Sequence, residues 1–421
     1  MKKILGLLLV AAIAFPASAA VIKNVELTGE IQTIASTAHR TIDSNWGSSY
    51  TYNKGAATRA LAGFSFDVVE DVKANLLFQY AYNWGDHNYT NNGFDNAKGM
   101  YLANANLVFS NLFGALEATI GRQFYGDENS AVMYFGPNHY NAEYLGYARA
   151  LDAAKLVYSN DTWTATVIGG KIADWTLDEP EYYDDYEVTM FGADVKANLT
   201  DALTAQVYAY DFQGKKYYMY YGYWESGEDT HQGFYGAKLN FAPEAFRASV
   251  EYARDMAGDR VFKEHADTGY MVKADVATDI EAVTLRGTFL YSKNFVNAYG
   301  NYVPGLLMQP FFTRNGWTNE NVFNYAYEEG IRLFNVGVDF RPADQWTVSF
   351  DAYSFQNRFG SHKATFEFDL TAKYDYNDNV QLFAGVGYAK YGSDESNWAG
   401  DYDYMFGPDN TKGQIGMLVR F

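Results

Sequence analysis

The chain has 421 residues, no cysteine and a formal net charge of −19. The absence of cysteine excludes disulfide scaffolding, thiolate chemistry and an N-terminal lipidated cysteine, and the acid excess excludes nucleic acid as a partner, because a phosphate backbone needs basic surface. Aromatic side chains make up 18% of the chain, with 37 Tyr and 30 Phe, yet no apolar run after the N-terminal segment has the length of a transmembrane helix.

Residues 1–20 predict a cleaved secretory signal. Lys2 and Lys3 give the positive start, residues 4–15 the apolar stretch, and Pro16-Ala-Ser-Ala19 the small-residue cleavage site. The remainder, 21–421, reads as a single domain, since no linker and no shift of composition divides it.

From Val25 onward one unit repeats: an alternating stretch, a short turn, a second alternating stretch, then a longer polar segment. Strand 25–36 places Val25, Leu27, Gly29 and Ile31 on one parity. Strand 58–69 sets Ala60, Ala62, Phe64, Phe66 and Val68 against Arg59, Gly63, Ser65 and Asp67. After a turn at Glu70-Asp71, Ala74, Leu76, Phe78, Tyr80, Tyr82 and Trp84 oppose Lys73, Asn75, Gln79 and Asn83. A period of two with different solvents on its two faces is the strand signature.

Further short turns are predicted near Asn111, Asn160-Asp161, Thr200-Asp201, Pro243-Glu244, Thr278-Asp279, Pro342-Ala-Asp344 and Asn377-Asp378-Asn379. Long segments alternate with them at 37–57, 85–99, 126–151, 172–186, 212–233, 256–268, 294–328 and 392–411, with a shorter connection at 357–361. The count predicts an all-β, transmembrane antiparallel barrel of about 18 strands, with short periplasmic turns, long extracellular loops and both termini at the short-turn end. The last strand ends on Ile415, Met417, Val419 and Phe421, all of one parity, so it is expected to close on the first strand. Phe421 is then the expected signal for the barrel-assembly machinery of a Gram-negative-type cell.

With the apolar parity given to lipid, the other parity lines the lumen. It carries Arg59, Lys73, Glu117, Lys155, Asp194, Lys196, Lys238, Arg247, Glu251, Lys273, Asp275, Arg286, Asp339, Asp351, Glu367 and Asp369, together with Asp67, Lys363, Lys373 and Arg420. That many charges cannot be buried dry, each costing several kcal/mol; they imply a wet interior, hence a channel. Inward aromatics are read at Tyr208, Tyr210, Phe234, Phe334, Tyr353, Phe355 and Phe383. They would either stack on sugar rings or pack beneath loops folded inward. Acid clusters at 174–185, 225–229 and 394–409 suit either divalent-cation binding or a solvated, self-repelling rim.

The stretch Thr119-Ile-Gly-Arg-Gln-Phe-Tyr-Gly-Asp127, followed by Arg149-Ala-Leu-Asp-Ala-Ala-Lys-Leu156, resembles the alginate-export-type family of outer-membrane porins. The matching residues are Gly121-Arg122-Gln123, Tyr125-Gly126-Asp127, and Arg149 with Asp152 and Leu156. The resemblance implies an 18-stranded barrel passing polar or saccharide solutes. The lumen wall, with bases and acids nearly balanced, departs from the Arg and Lys excess a polyuronate channel requires.

Arg122 falls on the parity of Ile120, and Asp152 on that of Leu156. One reading is that a bulge near Gly121 turns Arg122 inward onto Asp152, so that Arg122, Gln123, Asp127, Arg149 and Asp152 anchor loop 123–151 as a constriction around Phe135-Gly-Pro-Asn-His-Tyr140. The other is an outward pair at the lipid headgroups.

The six His residues are scattered without metal-ligand spacing, and no nucleophile motif or phosphate loop is present. No enzyme, cofactor or metal site is therefore expected. The chain reads as an outer-membrane porin for passive diffusion of small polar solutes, saccharides or cations among them, with outer-membrane lipid and lipopolysaccharide around it. A structural or adhesive surface protein acting through its acidic loops is the alternative.

Overall fold

The computed structural model describes residues 23–44, 47–84, 99–137, 139, 145, 150–173, 188–215, 218–220, 223–225, 229–256, 269–293, 295, 305–306, 331–357, 364–390 and 405–421. The expected signal segment, Arg149, Lys363 and the acidic segments at 174–185 and 394–404 lie outside them.

Within the described residues one 18-stranded sheet forms. Its strands are β1 Lys23–Ser44, β2 Gly47–Val69, β3 Val72–Asn83, β4 Gly99–Leu112, β5 Leu116–Gln123, β6 Ala150–Ser159, β7 Trp163–Ala173, β8 Val188–Thr200 and β9 Leu203–Lys215. The second half comprises β10 Asp229–Phe241, β11 Phe246–Met256, β12 Tyr270–Ile280, β13 Val283–Lys293, β14 Ile331–Ala343, β15 Trp346–Asn357, β16 Thr365–Asn377, β17 Val380–Lys390 and β18 Met405–Arg420. Each strand pairs antiparallel with its neighbours in sequence, and β18 returns to β1, with Ile31 opposite Val419 and Thr33 opposite Met417. The sheet is closed and leaves no edge, so every strand has a ladder on both sides.

Alternation decides which side chain meets which solvent. Leu27, Val167, Val207, Val250, Val336 and Ile415 all point outward and are exposed on the outer surface. Their inward neighbours are polar or packed. Aromatic pairs gather towards the two rims of this apolar band. Tyr158–Trp163, Phe241–Phe246 and Trp346–Tyr374 stand near the short turns, at centroid separations of 4.8, 6.4 and 4.7 Å. Tyr252–Tyr270 and Tyr270–Tyr291 stand near the long-loop end, at 6.3 and 6.0 Å. An apolar belt bounded by two aromatic girdles is what a bilayer selects.

Two turns fall later than alternation suggested. The turn expected near Asn111 lies at residues 113–115, where Phe113 and Gly114 adopt positive φ, and the one expected at Thr278-Asp279 lies at residues 281–282. In both cases the ladder persists past the first polar residue, because a strand end can leave a polar side chain in water. The segment expected as a loop at 37–57 is instead strand for most of its length. Pairing runs unbroken from Thr37 opposite Lys54 to Ser44 opposite Gly47. Its Thr and Tyr residues favour strand, and β1 there pairs with β2 on one side and β18 on the other, from Thr37 opposite Gly413 to Asp43 opposite Met405.

Candidate functional site

The inward faces of the strands enclose a lumen, and a loop from the wall folds into it. The chain leaving β5 makes a short hairpin, Tyr125–Gly126 with Tyr134–Phe135. Ala131, Val132, Met133 and Phe135 are buried in one cluster with Tyr208, Tyr210 and Phe212 of β9, Phe234 of β10, Met271, Leu290, Leu333 and Tyr353. The inward aromatics at 208, 210, 234 and 353 are thus covered: Phe234 is fully buried and Tyr208 8% exposed. Phe355 packs against the same cluster, and Phe383 belongs to a second one with Ile34, Ala57 and Leu145. Of the two readings left open for these rings, packing beneath an inward loop is the one observed. Phe334 is a correction. It shares the outward parity of Val336 and packs on Phe289 at 5.0 Å.

A charged latch holds the far side of this loop. Arg59, wholly buried on β2, donates from Nη2 to Glu30 Oε1 at 2.7 Å and to Gln32 Oε1 at 3.1 Å, and from Nη1 to the Leu145 carbonyl at 3.2 Å. His139 stands between two carboxylates, its Nδ1 3.0 Å from Glu128 Oε2 and its Nε2 3.1 Å from Glu30 Oε1. Burial opposes the charged imidazole, as does Arg59, but Glu128 and Glu30 outweigh both and raise its pKa above the ordinary value. Glu30 therefore ties a strand cation to a loop cation. Neither Glu30 nor His139 stands out by spacing, although Glu30 shares the polar parity of Gln32 and His139 lies in the segment expected as a constriction.

The expected anchor residues behave differently. Arg122 does pair with Asp152, in a bidentate contact of 2.9 and 2.9 Å. Gly121 does take a left-handed φ of 121°, which only glycine adopts without strain. The pair nevertheless points outward: β5 and β6 run in unbroken register, Ile120 beside it is exposed, and the alternate residues Gln123 and Leu151 are buried inside. The expectation of an inward Arg122 is corrected, because an unusual φ without an extra residue does not shift parity. Gln123 is buried and donates to the carbonyls of Thr119, Gly121 and Ala153, and Asp127 accepts from the Asn129 amide in the turn above.

The wall charges sort by arc. On β8–β12 the register sets Lys196, Gln206, Lys238, Glu251 and Lys273 in one row across neighbouring strands. Lys155 lies on β6 and Glu117 on β5. Asp194 accepts from Gln206, Tyr208 donates to Glu251 at 2.7 Å, and Lys273 meets Asp275 at 2.8 Å. Nearer the short turns, Arg247 is bidentate to Asp279, while Lys73 donates to Glu26 at 2.7 Å. Arg286 reaches Asp339 at 2.8 Å and Asp351 at 2.9 Å. Beyond it the wall turns acidic, with Asp351 opposite Asp369 and Glu367 on the same face.

A second inward contact covers those acids. Asp369 Oδ2 accepts the Leu306 amide at 2.9 Å, and Lys412 Nζ donates to the Leu306 carbonyl at 3.3 Å. Gly305 makes the approach possible, since a Cβ there would lie 2.6 Å from Glu367 Oε1. Lys412 is absent from the expected lumen residues, although it lies on the last strand with the inward parity of Gln414 and Arg420.

No family model and no curated protein matches the chain. Its fold is similar to solved barrels. OccK3 (OpdO) of Pseudomonas aeruginosa superposes with a TM-score of 0.59 at 11% identity, covering 94% of this chain and 96% of that one. OpdQ of the same organism gives 0.59 at 10% identity over 95% and 98%. The P. aeruginosa outer membrane protein opdK gives 0.57 at 9% identity over 94% and 99%. At such identities the likeness is one of fold: a closed antiparallel barrel of porin type.

Proposed function

We propose that this chain is an outer-membrane porin that passes small polar solutes by passive diffusion. The observation that carries the reading is the division of one closed sheet into an apolar outer face between aromatic girdles and a charged inner face partly spanned by an inward loop. The named relatives in fold support it, as does a secretory signal ahead of a single barrel domain. Selection at the wall is electrostatic. Solutes pass along the lysine row of β8–β12, whose fixed charges sharpen their orientation and local concentration. The motifs around Gly121 and Tyr125 support a place near the alginate-export-type porins, whereas the near-balanced wall favours small polar solutes over a polyuronate. Phe421 would present the closing strand to the assembly machinery.

Reconstitution tests this directly. Folded protein in a planar bilayer is expected to give stepwise ohmic conductance, and liposomes carrying it are expected to swell in small sugars and amino acids faster than in larger ones. Folded, inserted protein that neither conducts nor swells vesicles overturns the proposal and leaves the surface-protein reading.

A further inference from the structure

Three adjacent strands bring an acid, a gap and a base into one inward row. The register sets Asp369 of β16 opposite Gly387 of β17, and Gly387 opposite Lys412 of β18. All three are buried, Asp369 at 3% and Lys412 at 2% exposure. Gly387 has no side chain, so no wall side chain of β17 stands between the carboxylate and the ammonium, whose strands lie about 10 Å apart. The neighbouring inward row, Thr371, Gly385 and Gln414, is again open at its centre.

One residue lies over both rows. Leu306 donates its amide to Asp369 Oδ2 at 2.9 Å, and its carbonyl accepts from Lys412 Nζ at 3.3 Å. Its side chain lies on the second row, where a Cβ at Gly385 would stand 3.1 Å from Leu306 Cδ1 and 3.2 Å from Thr371 Cγ2. Gly305 before it rests on the Glu367 carboxylate, beside Asp369. The wall thus grips a single residue by its nitrogen, its carbonyl and its side chain. That nitrogen and that carbonyl share one Cα, as the two charged ends of an α-amino acid do. A free amino acid brings an ammonium to the acid and a carboxylate to the base, and contacts between ionised partners are the shorter and stronger ones. A solute with a carboxylate and no amine meets Asp369 and Glu367 with like charge instead.

We propose that Asp369, Gly387, Lys412 and Gly385 form a subsite for a neutral α-amino acid with an aliphatic side chain, and that Leu306 fills it as a built-in ligand until a solute replaces it. The proposal names a substrate class for the porin reading above and rests on that reading. Binding itself requires no conductance, so the two fail separately.

The experiment is saturation-transfer NMR on the full folded barrel in dodecylmaltoside, with L-leucine as probe. L-leucine is expected to bind saturably. The analogues 4-methylpentanoate and 3-methylbutylamine, each lacking one charged end, should bind about tenfold more weakly, the worth of one hydrogen bond to a charged group. Leu306→Gly should bind L-leucine more tightly than the parent, because a tethered occupant lowers the apparent affinity of a free one. Asp369→Asn should weaken L-leucine about tenfold and leave 4-methylpentanoate no weaker than before. Gly385→Val should weaken L-leucine and spare glycine, which covers the case in which the variant at 369 does not fold. Equal binding of L-leucine and both analogues overturns the site, and so does L-leucine bound no more tightly by Leu306→Gly than by the parent. Binding by a barrel that neither conducts nor swells vesicles overturns the channel reading and leaves this one standing.

Discussion

Gly29 and Phe421 exchange both backbone hydrogen bonds, at 2.8 and 3.0 Å, and the Phe421 ring lies where a side chain at 29 would be. The last residue of the chain is thus seated on the first strand by a position with no Cβ. In a membrane an unpaired strand group costs several kcal/mol, so this contact completes the ring where failure is most expensive.

Two changes test the seam. Deleting Phe421 should lower the amount of folded, heat-modifiable barrel at the cell surface without lowering secretion. Gly29→Val should do the same by displacing the ring. Normal surface levels of both variants would show that closure does not depend on this contact.

The latch at Arg59 is next. Arg59→Met keeps the volume but removes the nearest cation from Glu30, leaving His139 and, at 3.5 Å, Arg420, so the loss stays below the ~3–5 kcal/mol of a wholly broken buried pair. Lower thermal stability is expected, with larger or noisier single-channel steps as the loop loosens. A variant with parental melting and current noise would mean that Arg59 does not hold the loop.

His139 makes the same latch pH-dependent. Its folded pKa is raised, so its contribution is complete below the unfolded value of about 6.5 and is lost as pH rises through the folded one. Channel noise should therefore grow as pH rises through that raised pKa, and His139→Gln should flatten that dependence. A titration of noise against pH that is the same in parent and variant would remove His139 from the latch.

Asp152→Ala should leave conductance unchanged, because the Arg122–Asp152 pair faces outward and half-exposed. The effect on stability is expected to stay within about 1 kcal/mol, as for other exposed pairs. A change in conductance would return this pair to the constriction.

Much of the barrel was legible along the chain. Runs such as Ala74 to Trp84 alternate because lipid and water face opposite sides of one strand, and that requirement is local. Turn positions near Phe113 and Glu281 were displaced by two or three residues because ladder pairing, which no single strand contains, carries a strand past its first polar residue. The parity of Phe334 is local and readable, since Asp339 on the same strand lies on the other face. The partners of Glu30 are not readable. Arg59 lies on the adjacent strand, and His139 lies 109 positions away.

The sequence by itself determined the closed sheet, its approximate strand number and the face most strand residues present, since a two-residue period admits one assignment once one side is apolar. Only the tertiary structure decided what happens inside. Which loop crosses the lumen, which acids and bases lie across from one another, and that Arg122 stays outward despite its glycine all follow from register and from loop contacts between distant residues. Such contacts depend on closure bringing far-separated strands to one lumen, and no pattern along a single strand contains that information.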